Sequence, residues 1–270
     1  MNLLQSRIVL RDRRAYDVLD LGLRFLVANR IAFGKAALVV LPPGIALTYL
    51  TGVKLGWFWG WTLAIFLGLL AQAPFTQLAS RLVFEDNVRV RDVLRSSLAR
   101  VPALACMRVL QLTVVAFAAC LFVVPALLVG GFTFFLGEVM LLERTSVGHT
   151  VTRLQRLMSG STGDAMLGLL LLGSLHVVAT ILGDVAGRAI LEELFVWKAP
   201  LPMWEAEGGS VLATLGFWLF LPYVAITRFL LYLNVRTRSE GWDVQTRFSA
   251  IAQKANAEAA LEATHTGRAA

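Results

Sequence analysis

Two ionisable residues sit well inside apolar sequence: Arg108, in the run from Val101 to Val115, and Glu138, in the run from Phe132 to Leu142. A charge at the centre of a lipid-exposed helix costs about 2.5–3.5 kcal/mol on insertion scales, so such residues are paired or functional. Arg108 lies about two turns inside the third of six apolar stretches, and Glu138 just over one turn inside the end of the fourth. If those stretches are antiparallel neighbours, the two depths match. The spacing therefore predicts an interhelical ion pair between Arg108 and Glu138, with a proton or substrate site as the alternative.

The other polar residues within apolar sequence point to structure. His176 lies mid-stretch and is expected to bond a neighbouring carbonyl or hydroxyl. Lys35 and Arg228 lie near stretch ends, where long cationic side chains reach back to the interface. Asp184 and Arg188 have the i,i+4 spacing of a helical pair. His149, His176 and His265 are scattered without carboxylate spacing, so no metal site is expected. Glu192-Glu193-Leu-Phe is similar to the EExxxR motif of prenyl-endopeptidase-type intramembrane proteases, but Trp197 stands where the arginine belongs and the later histidines are missing. HExxH, GxSxG, GxGD and phosphate-loop motifs are absent as well. No catalytic residue and no cofactor site is expected.

The elements that hold these residues follow from composition. The chain has 270 residues, 57% hydrophobic and 16% charged, against about 45–50% and 25% in soluble domains. Lipid is the natural sink for that apolar excess. A helical span needs about 20 apolar residues, and six stretches qualify: 33–49, 57–79, 101–122, 124–142, 165–183 and 211–233. The third and fourth are nearly continuous from Val109 to Leu142; one helix would be about 51 Å long, against a hydrocarbon core of about 30 Å. Pro125, Gly130 and Gly131 supply breakers, so a tight hairpin is expected there. Pro42-Pro43 is expected to break the first span. Cys106 and Cys120 lie about 21 Å apart along one helix face, too far for a disulfide. The expected fold is all-α, a polytopic six-helix membrane bundle with interfacial amphipathic helices. It divides into an N-terminal segment (1–32), a membrane domain (33–233) and a tail (234–270).

Arginine fixes the orientation. The first 30 residues carry six, and further groups lie at 81–100, 144–156 and 236–268; the alternate side holds only Lys54, Arg188 and Lys198. Positive charge is retained in the cytoplasm, so both termini are expected there, in a bacterial inner membrane, without a cleaved leader. The net charge of +7 is explained by this asymmetry, and nucleic acid binding is not expected. Trp57, Trp59, Trp61, Trp197 and Trp204 fall on the outer side, at interface depth.

Three segments have amphipathic spacing: 15–29, with Val18, Leu21, Gly22 and Phe25 on one side; the segment carrying Val90, Leu94 and Leu98; and the segment carrying Val147, Val151 and Leu154. Arginine-bearing helices of this kind gain from anionic headgroups. Arg89, Arg91 and Arg95 form a candidate cytoplasmic docking surface for anionic lipid and a protein partner.

The pattern resembles a diffuse bacterial family of six-span proteins similar to the membrane domain attached to some glycerophosphodiester phosphodiesterases. The opening Asp17-Val-Leu-Asp-Leu-Gly-Leu-Arg24, Glu143 at the end of span four, and the exit Tyr232-Leu-Asn-Val-Arg236 with Glu240-Gly-Trp-Asp243 carry the likeness. Asn234 stands where the family's exit has aspartate. The phosphodiesterase domain is absent, so hydrolysis is not implied. The sequence thus leads to a non-enzymatic structural or partner-binding subunit of a membrane assembly. A transporter or lipid-handling protein is the first alternative and an intramembrane enzyme the second.

Overall fold

A computed structural model describes residues 14–85, 88–143, 147–194 and 208–239. Arg144, Trp197, Trp204, the exit residues Glu240 and Asp243 and the rest of the tail lie outside these residues, as does the start of the N-terminal segment. Every regular element among the described residues is helical: α1 (Ala15–Ala28), α2 (Arg30–Leu55), α3 (Trp57–Leu82), α4 (Val90–Leu98), α5 (Val101–Leu121), α6 (Val123–Phe132), α7 (Leu136–Leu142), α8 (Val147–Met158), α9 (Thr162–Ala189) and α10 (Val211–Ser239). A π-helical turn, Ile190–Leu194, extends α9.

Six of these units are long and apolar enough to cross a membrane: α2, α3, α5, α6 with α7, α9 with its π turn, and α10. The chain is a multi-pass membrane protein. Leu38, Phe117, Phe122 and Val177 are exposed on the outside of the bundle, as lipid-facing side chains are. Cys106 and Cys120 are free and exposed on α5. α10 is the most enclosed span and packs against α1, α2, α3 and α9.

The local sequence explains the joints. Gly56 turns α2 into α3 at φ +97°, a conformation that suits a residue without Cβ. The expected hairpin breaks at Phe122, which is extended (φ −168°, ψ 163°). Pro125 then falls in the first turn of α6, where its missing N–H removes no helical bond. Gly130 and Gly131 are not the breakers; both lie within α6, and Gly131 faces Met166 of α9. Pro42 and Pro43 do not break α2 either. Prolines are tolerated in spanning helices where neighbours and local adjustment satisfy the freed groups.

Small residues set the closest crossings. A Cβ on Gly216 of α10 would lie 2.6 Å from the carbonyl oxygen of Ala179 on α9, and one on Gly183 would lie 2.6 Å from Cα of Gly216. Backbones that approach this closely gain van der Waals contact, the main attraction between helices in lipid. Gly60 likewise meets the backbone of Gly52.

The short helices bury one side each, rotated from the expected stripe on α4 and in part on α8, and following it on α1. α4 buries Val93 and Ser97 and leaves Leu98 68% exposed. α8 buries Thr150, Leu154, Leu157 and Met158 and leaves Val151 half-exposed. α1 buries Val18, Gly22 and Phe25. It packs on α10, where the Tyr223 hydroxyl donates to the Leu19 carbonyl at 3.1 Å.

Candidate functional site

Span four is interrupted between α6 and α7. Thr133 and Phe135 both have φ −92°, with ψ of 8° and 15°, so the helix tightens into i→i+3 bonds from Phe134 to Gly131 (3.2 Å) and from Leu136 to Thr133 (3.1 Å). Irregular backbone at membrane depth persists only when protein groups satisfy it. Two side chains do so here. Gln111 of α5 donates to the Thr133 carbonyl at 3.2 Å and to its hydroxyl at 2.8 Å. Arg228 of α10 donates to the Phe134 carbonyl, and its guanidinium carbon stands 5.0 Å over the Phe134 ring, a cation–π geometry.

The same arginine holds the buried carboxylate. Arg228 Nη2 donates to Glu138 Oε2 at 2.8 Å, and Nη1 donates to Gln72 Oε1 of α3 at 2.6 Å. Glu138 is 2% exposed and Arg228 4%. Arg228 is therefore no interfacial side chain reaching for water, as its position in the sequence suggested. α10 runs on to Ser239, which puts Arg228 about 16 Å from that end.

Arg108 is just as buried, at 2%, and lies within electrostatic range of both Arg228 and Glu138. The described ion pair of Glu138, however, is with Arg228. Arg108 Nη1 instead donates to Gln111 Oε1, and its Nη2 rests against Gly137, where an added Cβ would come within 2.5 Å of it. The expected Arg108–Glu138 pair thus becomes a three-residue cluster with Glu138 bonded to the other cation. Two guanidinium groups and one carboxylate give a formal charge of +1, shared among amide and carbonyl oxygens. The Nε atoms of Arg108 and Arg228 are buried without a hydrogen-bond partner.

A second polar layer lies one turn further along. Arg153 of α8 grips Glu143 with two bonds, 2.6 Å from Nε and 3.2 Å from Nη2. Tyr232 donates its hydroxyl to the same carboxylate at 2.6 Å, and Arg236 stands 3.9 Å from it. Glu143, Tyr232 and Arg236, drawn from two of the segments that carried the family resemblance, meet at this point. Arg100 donates to the Leu141 carbonyl, meeting one of the free carbonyls at the C-terminus of α7.

The third polar set is at the opposite end. Arg188 pairs with Asp184 at 3.1 Å, and Ser210 donates to Asp184 while accepting from the Ala213 N–H at 3.0 Å. Ser210 therefore caps α10 and ties it to α9. His176 meets the Phe217 carbonyl at 2.9 Å, the structural role its solitary position implied.

Arg89, Arg91 and Arg95 are all exposed on and beside α4. The sequence had pointed Arg228 to the interface and singled out neither Gln72 nor Gln111. The signal was present: Gln72 and Arg228 each lie about ten residues from the same-side ends of their helices, so an inventory by depth of uncharged as well as charged polar residues would have brought them together. No protein-family model, no curated protein and no solved structure matches the chain.

Proposed function

We propose that the chain is a non-enzymatic structural or partner-binding subunit of an assembly in a bacterial inner membrane, with both termini in the cytoplasm. One contrast carries the reading. The buried charges Arg108, Glu138 and Arg228 are bonded internally and tightly packed, as Arg108 is against Gly137, whereas Arg89, Arg91 and Arg95 stand exposed and take part in no described ion pair. Cations left free beside a membrane surface are attracted to anionic headgroups and to acidic protein surfaces. The arginine asymmetry puts α4 on the cytoplasmic side. The resemblance to the membrane domain of glycerophosphodiester phosphodiesterases belongs to the same proposal and implies no hydrolysis.

The test replaces Arg89, Arg91 and Arg95 together with glutamine, which removes charge and keeps helix propensity. The expected result is normal membrane insertion with several-fold lower recovery of the co-purifying partner. Loss of insertion would mean that the arginines serve topology alone. The transporter reading is favoured by one feature, the interrupted span at a polar cluster, which is where many transporters hold their substrates. Solute uptake by the purified protein in liposomes, with no partner present, would replace the proposed function with that one.

A further inference from the structure

Beside α4 lies a groove of about 340 Å³, formed by α2, α3, α4 and the start of α5. Its volume is that of a small-molecule site, and its lining is apolar: Val39, Pro43, Leu67, Leu70, Leu94 and Leu98 contribute to it. The few polar side chains on its wall are already engaged. Ser97 donates to the Val93 carbonyl of its own helix, and the Trp218 indole donates to Thr48. Its side chains therefore offer a ligand apolar contact and no free hydrogen-bonding group.

Its α2 and α4 edges carry cations. Lys35 lies one turn before Val39 on the same side of α2 and is exposed. On α4, at about 100° per residue, Arg91 and Arg95 fall beside Leu94 and Leu98, while Arg89 and Asp92 turn away. Lys35, Arg91 and Arg95 take part in no described ion pair. An apolar slot with cations along its edge matches one chemistry, an acyl chain that ends in an anionic headgroup.

We infer that this groove binds one acyl chain of an anionic phospholipid and that Lys35, Arg91 and Arg95 hold its phosphate. The inference rests on the proposed membrane-surface role of α4 and narrows it from three arginines to two, adding Lys35. A zwitterionic lipid fills the slot equally well and gains less at its edge, so selectivity resides in the cations and occupancy in the groove.

The purified full chain in mild detergent, incubated with equal amounts of dioleoyl phosphatidylglycerol and dioleoyl phosphatidylcholine, tests this by native mass spectrometry. With three cations beside the headgroup at about 1 kcal/mol each, phosphatidylglycerol should be retained about a hundredfold over phosphatidylcholine. The K35Q/R91Q/R95Q protein should keep its melting temperature and lose the preference. Ala71→Phe, which fills the groove from α3, should lower retention of both lipids several-fold. Leu98→Gln does the same at an exposed position where folding is not at stake. Equal retention of the two lipids by the wild type, or an unchanged preference in the triple variant, overturns the site. So does undiminished retention of both lipids in folded groove variants. Absence of this lipid preference in the wild type, with the partner still recovered, overturns the lipid site alone. A reporter fused after Ser96 that reads external overturns the parent reading.

Discussion

Replacing Glu138 with alanine tests the buried cluster most directly. The wild-type cluster carries two cations and one anion within a few ångströms, and the anion is bonded to Arg228 at 2.8 Å. Removing it leaves Arg108 and Arg228 together at a formal charge of +2 among buried groups. Breaking one side of a buried pair costs about 3–5 kcal/mol, and the charge repulsion adds to that. Removing a cation as well should recover part of the loss, and the two cations should recover different parts. Arg228 is in contact with the carboxylate, so the Glu138–Arg228 coupling should be about 2–3 kcal/mol, at the upper end of the range for residues in one network. Arg108 acts on it across a longer gap, without a described bond, and should couple at about 1 kcal/mol or less. Arg228→Met and Arg108→Met, each alone and combined with Glu138→Ala, complete two double-mutant cycles. Reversible unfolding in mixed SDS–detergent micelles, followed by tryptophan fluorescence, reads the stabilities. A Glu138–Arg108 coupling as large as the Glu138–Arg228 coupling would refute the assignment. Simple additivity in both cycles would refute the cluster itself.

Gly137→Ala should destabilise by about 1–3 kcal/mol, as overpacking does, because its Cβ would lie 2.5 Å from an Arg108 nitrogen that is itself buried; thermal unfolding in detergent checks it, and Gly163→Ala, with open space around it, is the control. Gly216→Val should separate α9 from α10, since no side chain can shift to relieve a contact with the Ala179 carbonyl, and the folded fraction by size-exclusion chromatography should collapse. Glu143→Gln weakens the bonds from Arg153 and Tyr232 together and should cost about 1–3 kcal/mol, with faster proteolysis of the α8 segment as the readout. Reporters fused after Ser96, Gly160 and Ala270 should read cytoplasmic, and those after Gly52 and Gly208 external; a cytoplasmic reading at Gly208 contradicts the orientation.

The spans were legible because each is a long apolar run, and length against bilayer thickness admits few alternatives. Phe33–Tyr49 lies within α2, and the hairpin falls within one residue of the expected gap, at Phe122, the last residue of the third expected stretch, with no glycine at the break. The α4 stripe was misplaced for a geometric reason. Steps of four residues drift by about 40° each around a helix, so Val90, Leu94 and Leu98 wander off the buried side, which in fact follows Val93 and Ser97. An i+3 step has to alternate with i+4 to stay on one side. The interruption of span four was not legible, because Thr133-Phe134-Phe135 contains no helix breaker. What ends α6 is tertiary: Gln111 and Arg228 supply, from two other helices, bonds that an isolated segment would have to make for itself.

That dependence explains why neighbouring residues of α7 are so different in kind. Gly137 has no side chain and so leaves room for the Arg108 guanidinium. Glu138, next along the helix, carries the charge that holds Arg228. One residue admits a cation from α5 and the next binds a cation from α10, while the break just before them is closed by the same two helices. Two spans are thereby fixed to a segment of seven residues that is too short to be a stable helix alone. Arginine suits this work better than lysine, because its planar fork reaches a carbonyl, an amide and a carboxylate at once. Arg228 engages all three, from Phe134, Gln72 and Glu138. The buried charges therefore tie α7 to α5 and α10, whereas Lys35, Arg91 and Arg95 are exposed and take part in no described ion pair.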